Sequence, residues 1–174
     1  MANSTARNEW YGWLKIIIVA IIVAFIIRTF IFSTSIVDGN SMYPTLEDGE
    51  RVIINKFSYL VTNPHRGDIV IIEHDEKNYV KRVIGMPNET IEMKDYTLYI
   101  DGEALSSSYV SRDVEILTGD FGPIENPEDY YFVMGDNRPV SLDSRHELGL
   151  IHRSEITGKS ALIIYPFDNI ELVR

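Results

Sequence analysis

The sequence predicts a mainly β protein: a single N-terminal transmembrane helix, then a compact antiparallel β-sheet or barrel-like domain with an extended β excursion. Three observations carry that expectation. Residues 16–27 form an unbroken run of Ile, Val, Ala and Phe. Residues 33–174 fall into short segments rich in Val, Ile, Tyr and Thr, cut by turn residues, with no stretch of about 15 residues that keeps a helical period. A length of 174 residues allows one domain and an appendage but not two full domains.

The apolar run comes first. Taken as one helix, residues 13–32 number 20, giving about 30 Å of rise, which matches the hydrocarbon core of a bilayer. Lys15 and Arg28 are 13 residues apart, about 20 Å along that helix, so they do not both mark its edges; one or both are expected to snorkel, stem in lipid and charged head toward the headgroups. Trp10, Tyr11 and Trp13 at one end, with Phe30 and Phe32 at the other, suit interfacial anchoring. A removable signal peptide has the same outline, but it would need an A-x-A-like site after the run, and the run is flanked there by the bulky, charged Arg28-Thr29-Phe30-Ile31-Phe32. Arg7, Lys15 and the terminal amine outnumber Arg28, which favours an inside N-terminus. The expected organisation is a short cytoplasmic tail (1–12), a membrane anchor (13–32) and an extracytoplasmic domain (33–174).

Charge follows the same division. The chain has 16 Lys+Arg against 26 Asp+Glu, a net charge of −10, and residues 33–174 hold 13 against 25 of these, or −12. An acidic body argues against nucleic acid as a partner. The chain has no cysteine, which excludes disulfides, thiolate metal sites, Fe–S clusters and cysteine nucleophiles. No motif calls for a metal or a cofactor, and no pattern specifies an oligomeric state.

The predicted strands are 51–57, 68–73, 78–84, 90–94, 96–100, 130–134, 156–164 and 169–173. Between them lie Asn63-Pro64, Arg66-Gly67-Asp68, Met86-Pro87-Asn88 and Gly119-Asp120. Asp101-Gly102 directly after 96–100 signals a hairpin. Residues 86–127 read as the extended excursion.

Candidate chemistry lies in three stretches. His65, His74, His146 and His152 are scattered without metalloprotease spacing and read as surface or structural residues. Asp136 and Asp143 taken alone read as turn residues. The first stretch, Val37-Asp38-Gly39-Asn40-Ser41-Met42-Tyr43-Pro44-Thr45-Leu46, puts Ser41 at the apex of a turn bracketed by Gly39 and Pro44. Such a turn exposes a hydroxyl and aims a backbone N–H at a developing oxyanion, although serine in a Gly-Asn turn is also ordinary loop chemistry. The second, Asn78-Tyr79-Val80-Lys81-Arg82-Val83-Ile84-Gly85, places Lys81 in an apolar strand. Alternation puts Tyr79, Lys81 and Val83 on one face and Val80, Arg82 and Ile84 on the other. A lysine there is either a snorkelling side chain at the core edge or a desolvated base. The third, Gly135-Asp136-Asn137-Arg138-Pro139-Val140-Ser141-Leu142-Asp143-Ser144-Arg145, is a dense polar loop after a hydrophobic strand.

Together these stretches resemble the motifs of the bacterial type I signal peptidases, in order, in spacing and in the single anchor that precedes them. The resemblance runs from the anchor to about residue 165. It implies a membrane-bound Ser/Lys endopeptidase that removes signal peptides from secretory preproteins after small residues in A-x-A-like sites, with no cofactor. Ser41 would be the nucleophile and Lys81 the general base. A lysine with a pKa of about 10.4 is neutral in only about one molecule in 2,500 at pH 7, so burial has to depress it for that role. Ser141 would orient the lysine, with Asp136, Asp143 and Arg145 in support. Val37, Met42, Leu46, Tyr79 and Val80 would line the substrate pockets. Two departures stand out: Gly39 where some members carry an oxyanion-binding serine, and Val140 where many carry asparagine. The short excursion resembles the Gram-positive form. The alternatives are a dedicated processing peptidase with one client, and a membrane-anchored β-domain that binds peptides without cutting them.

Overall fold

A computed structural model describes residues 3–75, 77–105 and 116–173. Helix α1, Asn3–Ile26, passes through a π-helical turn, Ile27–Ile31, straight into strand β1, Phe32–Ile36. The helix starts ten residues before the expected position 13, since nothing in residues 3–11 breaks it. Its segment Trp10–Thr29 is long and apolar enough to cross a membrane, and its described Ile, Val and Phe side chains are exposed.

The remaining elements in chain order are β2 (Arg51–Asn55), the single turn α2 (Ser58–Val61), β3 (Ile69–His74), β4 (Lys77–Gly85), β5 (Thr90–Lys94), β6 (Thr97–Ile100) and β7 (Glu103–Ala104). After these come β8 (Phe121–Glu125), β9 (Tyr130–Met134), β10 (Ile151–His152), β11 (Ile156–Tyr165) and β12 (Glu171–Leu172). Among the described residues two sheets form. The larger runs β1-β2-β11-β3-β4-β9-β10, with β12 paired to β11; the smaller runs β7-β6-β5-β8. Every pairing is antiparallel. Register shifts along β11, between Ser160 and Leu162 and between Ile163 and Tyr165, bend the larger sheet. The smaller sheet lies within the 86–127 excursion, of which 106–115 fall outside the described residues.

β3 is the clearest case of sequence dictating packing. Ile69 and Ile71 enter one core with Val37, Met42, Leu46, Val52, Ile54 and Ile163, while Val70 and Ile72 enter another with Val83, Tyr131 and Val133. An all-apolar run is therefore a strand buried on both faces. A third core joins the sheets: Ile84 of β4 and Phe132 and Met134 of β9 pack with Ile91, Met93, Leu98 and Ile100. Gly85 makes this close approach possible, because a Cβ there would lie 2.5 Å from Ile91 Cδ1.

Phe132 is fully buried and stacks on Phe121 with ring centroids 5.4 Å apart. Phe132→Ala is expected to cost about 3–5 kcal/mol in denaturant unfolding, against about 0.5–1.5 kcal/mol for Ile84→Val in the same core.

Candidate active site

Ser41 sits in the loop between β1 and β2, and backbone hydrogen bonds close that loop. Val37 N–H donates to Glu50 O at 2.8 Å, Gly49 N–H to Val37 O at 2.9 Å and Leu46 N–H to Met42 O at 3.0 Å. Gly39, at φ +87°, occupies the left-handed region open to glycine, and its N–H donates to Asp48 Oδ1 at 2.8 Å. Met42 and Leu46 plug into the core on either side of the turn, so Ser41 is held by buried neighbours. Among the described residues the Ser41 N–H has no partner.

Lys81 is opposite Val70 in register, on the face that also carries Tyr79 and Val83. It is 3% exposed, and Nζ donates to Ser41 Oγ at 2.8 Å. Burial pushes its pKa down to about 8, while the charges of Asp143 and Asp136 oppose that shift.

Arg82, the next residue, pairs with Ile69 and faces the other way. Its Nε donates to Asp136 Oδ1 at 2.8 Å and an Nη to Oδ2 at 2.6 Å, and Thr45 Oγ1 donates to the same Oδ2 at 2.6 Å. This bidentate pair, buried on both sides, ties β4, the Ser41 loop and the 135–145 loop together. A second bidentate pair sets the far side of that loop: Arg145 reaches Asp143 through Nε and an Nη, both at 2.9 Å, and also donates to Arg138 O at 2.8 Å. Burial pushes the Asp143 carboxyl up, but Arg145, the Gly135 N–H and the Ser141 hydroxyl outweigh it, and the group stays below the usual carboxylate value.

Among the described residues no hydrogen bond joins Ser141 to Lys81. Ser141 Oγ accepts from Gly135 N–H at 3.1 Å and contacts Asp143, and among the described residues Lys81 makes one side-chain hydrogen bond, to Ser41. Ser141 is instead linked to Ser41 through Gly135: a Cβ on Gly135 would lie 2.3 Å from both Ser141 Oγ and Ser41 O. Asn137 completes the seam, its N–H donating to Ser41 O and its Nδ2 to Asn40 O, each at 3.0 Å. Of the pocket candidates, Val37, Met42 and Leu46 are buried in one core, which Val80 also packs against, while Tyr79 packs against another. His65, His74, His146 and His152 make no hydrogen bond to Ser41 or Lys81; His146 lies beside Asp143 at 3.7 Å with its side chain half exposed.

Sequence reasoning passed over Gly135, Arg82, Thr45 and Asn137. For Arg82 a signal was present: a cation predicted to point into the core of a strand requires a buried counterion.

The profile of the family described as signal peptidase, peptidase S26, matches residues 10–165. The chain belongs to that family. A signal peptidase I of Bacillus licheniformis is 48% identical over 177 residues, covering 97% of this chain and 95% of that protein. Signal peptidase I T of Bacillus subtilis is 46% identical over 176 residues, covering 96% and 91% respectively. The crystal structure of a signal peptidase I from Enterococcus faecalis V583 matches with a TM-score of 0.51 at 34% identity, over 57% of this chain and 97% of that one. Membership makes the chain a peptidase and supports a signal peptidase I activity, which counts against a β-domain that only binds.

Two substitutions probe the seam and the clamp. Gly135→Ala displaces Ser41 and is expected to lower peptidase turnover by about 10²-fold, the order expected of a 1 Å misplacement. Asp136→Asn takes the bidentate carboxylate away from buried Arg82 and is expected to cost about 3–5 kcal/mol in denaturant unfolding.

Proposed function

We propose that this chain is a membrane-anchored serine endopeptidase that removes N-terminal signal peptides from secreted preproteins, with Ser41 as nucleophile and Lys81 as general base. The observation that carries the reading is a lysine 3% exposed with Nζ 2.8 Å from a serine Oγ. At a pKa of about 8, about a tenth of the lysine is neutral at pH 7, roughly two hundred times more than for an exposed lysine.

The steps start from that contact. Neutral Lys81 takes the Ser41 proton as Oγ attacks the scissile carbonyl carbon, and negative charge develops on the carbonyl oxygen. The unpartnered Ser41 N–H is the donor available to that oxygen, and Gly39 adds no hydroxyl to it. The Lys81 ammonium then protonates the departing amine as the C–N bond breaks, leaving an acyl group on Ser41. Lys81, neutral again, takes a proton from water; the hydroxide attacks the ester, and Ser41 Oγ leaves with the proton returned by Lys81.

Substrate binds in extended form by main-chain pairing, and selectivity comes from apolar pockets. Val37, Met42, Leu46, Tyr79 and Val80 form their walls. Because Val37, Met42 and Leu46 are already packed into the core, only a shallow floor is left, which suits alanine before the cut. Ser141, Asp136, Asp143 and Arg145 act by position, bracing the Ser41 and Lys81 backbones rather than touching the reacting atoms. The anchor spans the membrane with the N-terminus inside and the catalytic domain outside, so that enzyme and membrane-held preprotein share one surface.

In cleavage of a model preprotein, Ser41→Ala and Lys81→Ala are each expected to lower kcat by at least about a thousandfold with the fold retained by circular dichroism. The free enzyme's kcat/KM is expected to rise about tenfold per pH unit below pH 8 and to level off above it, as Lys81 loses its proton. A profile that stays flat from about pH 6.5 to 9 removes Lys81 as the base.

A further inference from the structure

One face of the larger sheet changes character along its length. Ile54 of β2 and Ile71 of β3 pack in one core with Val37, Met42 and Leu46, and Val80 of β4 lies against the same core. A strand returns to the same face every second residue. Two residues along from each of these apolar positions stands a polar one: Lys56 after Ile54, Glu73 after Ile71 and Asn78 before Val80. β2 and β3 each pair antiparallel with β11, and β4 pairs antiparallel with β3, so all three changes fall at the same end of the face. On β1, Ser33 stands opposite Ile54 and Ser35 opposite Val52, which adds two hydroxyls to that face.

Ser33, Ser35, Lys56, Glu73 and Asn78 line one cavity of about 310 Å³, with Ile54 and Ile71 among its walls. Its polar groups are unengaged. Among the described residues the side chains of Ser33, Lys56, Glu73 and Asn78 make no hydrogen bond or ion pair, and Lys56 and Glu73 do not pair with each other. The cavity thus offers donors, an acceptor and both signs of charge to an occupant.

The spacing of the proposed substrate selects that occupant. An A-x-A-like site in extended form turns its first and third residues before the cut to one side, and the fifth follows on that side about 7 Å beyond the third. The step from Val80 to Asn78 is the same two residues along β4, and it leads away from Lys81. With the third residue over Val80, the fifth lies over Asn78, at the cavity that Lys56 and Glu73 line. We infer that this cavity is a subsite for a polar side chain at the fifth position before the cut, with Lys56 and Glu73 setting which charge is accepted there. This rests on the peptidase reading of Ser41 and Lys81. Leucine at the fifth position would strip water from unpaired polar groups without replacing its hydrogen bonds, whereas serine or glutamine replaces them.

The full chain in detergent is given fluorogenic peptides that keep alanine at the first and third positions and vary one other position at a time. Serine to leucine at the fifth position is expected to lower kcat/KM about tenfold, and at the fourth or sixth, whose side chains point away from the floor, less than about twofold. The ratio of kcat/KM for a glutamate to a lysine at the fifth position is expected to rise about tenfold in Glu73→Lys and to fall about tenfold in Lys56→Glu. Because each ratio is taken within one enzyme, any loss of overall activity cancels. Equal sensitivity at the fourth, fifth and sixth positions, or a ratio unchanged in either variant, overturns the inference. Ser41→Ala on the same peptides separates it from the reading beneath it: cleavage that vanishes there but ignores the fifth residue keeps Ser41 as nucleophile and removes the subsite, and cleavage that persists removes both.

Discussion

Consecutive residues of a β-strand point to opposite faces, and the site depends on that constraint at Lys81 and Arg82. One face of β4 delivers an amine to Ser41 Oγ; the other delivers a guanidinium to Asp136. Because the two residues share one backbone, the buried ion pair on one side fixes the position of the amine on the other. Through Thr45 and Asp136 the same pair holds the Ser41 loop and the 135–145 loop in register with β4. Segments about 40 and 55 residues away in sequence are thereby brought to one strand, and the small distances within the site follow from a bidentate geometry that lysine in place of Arg82 would not reproduce.

The two buried cations meet different surroundings. Arg82 is met by two carboxylate oxygens and the Gly67 carbonyl. Lys81 is met by a hydroxyl, in a place where burial outweighs the pull of Asp143 and Asp136. Those carboxylates would hold the amine protonated if they were unpaired. Arg82 and Arg145 each engage one of them in a bidentate pair, which cuts their field at Lys81 and lets desolvation dominate. The bracing pairs therefore set the proton affinity of the amine as well as the shape of the loop.

Much of the fold was legible where the pattern is strong. The apolar run of α1, the doubly buried β3, and the alternation of β4 that places Lys81 among apolar neighbours all follow from the order of side chains. β1 was not legible, because Ser33-Thr34-Ser35 carries no hydrophobic signal; it is an edge strand, and its order comes from pairing with β2. β8 was hidden by Gly122-Pro123, residues that a sheet tolerates at its edge, where β8 lies. The expected strand 169–173 shortens to Glu171–Leu172, because a helical turn takes Phe167–Asn169. In the site, motif position pointed to Ser41 and Lys81, whose side chains meet in the structure, but the hydrogen bonds of Ser141 depend on how closely Gly135 lets two loops approach, and that is a matter of tertiary geometry.

β1 is also the mechanical link between the apolar helix and Ser41. The chain leaves the π-helical turn at Ile31, is pinned there by Lys56, runs through five residues paired one for one with β2, and enters the hydrogen-bonded loop that carries Ser41. Five residues of strand span about 17 Å, and no residue between Ile31 and Ile36 is left outside the sheet to act as a flexible linker. A tether made of sheet transmits orientation where a disordered linker would give only proximity. The direction of β1 relative to α1 consequently governs where Ser41 stands relative to the apolar helix, and polar residues that look like a spacer in the sequence form the part that sets this position.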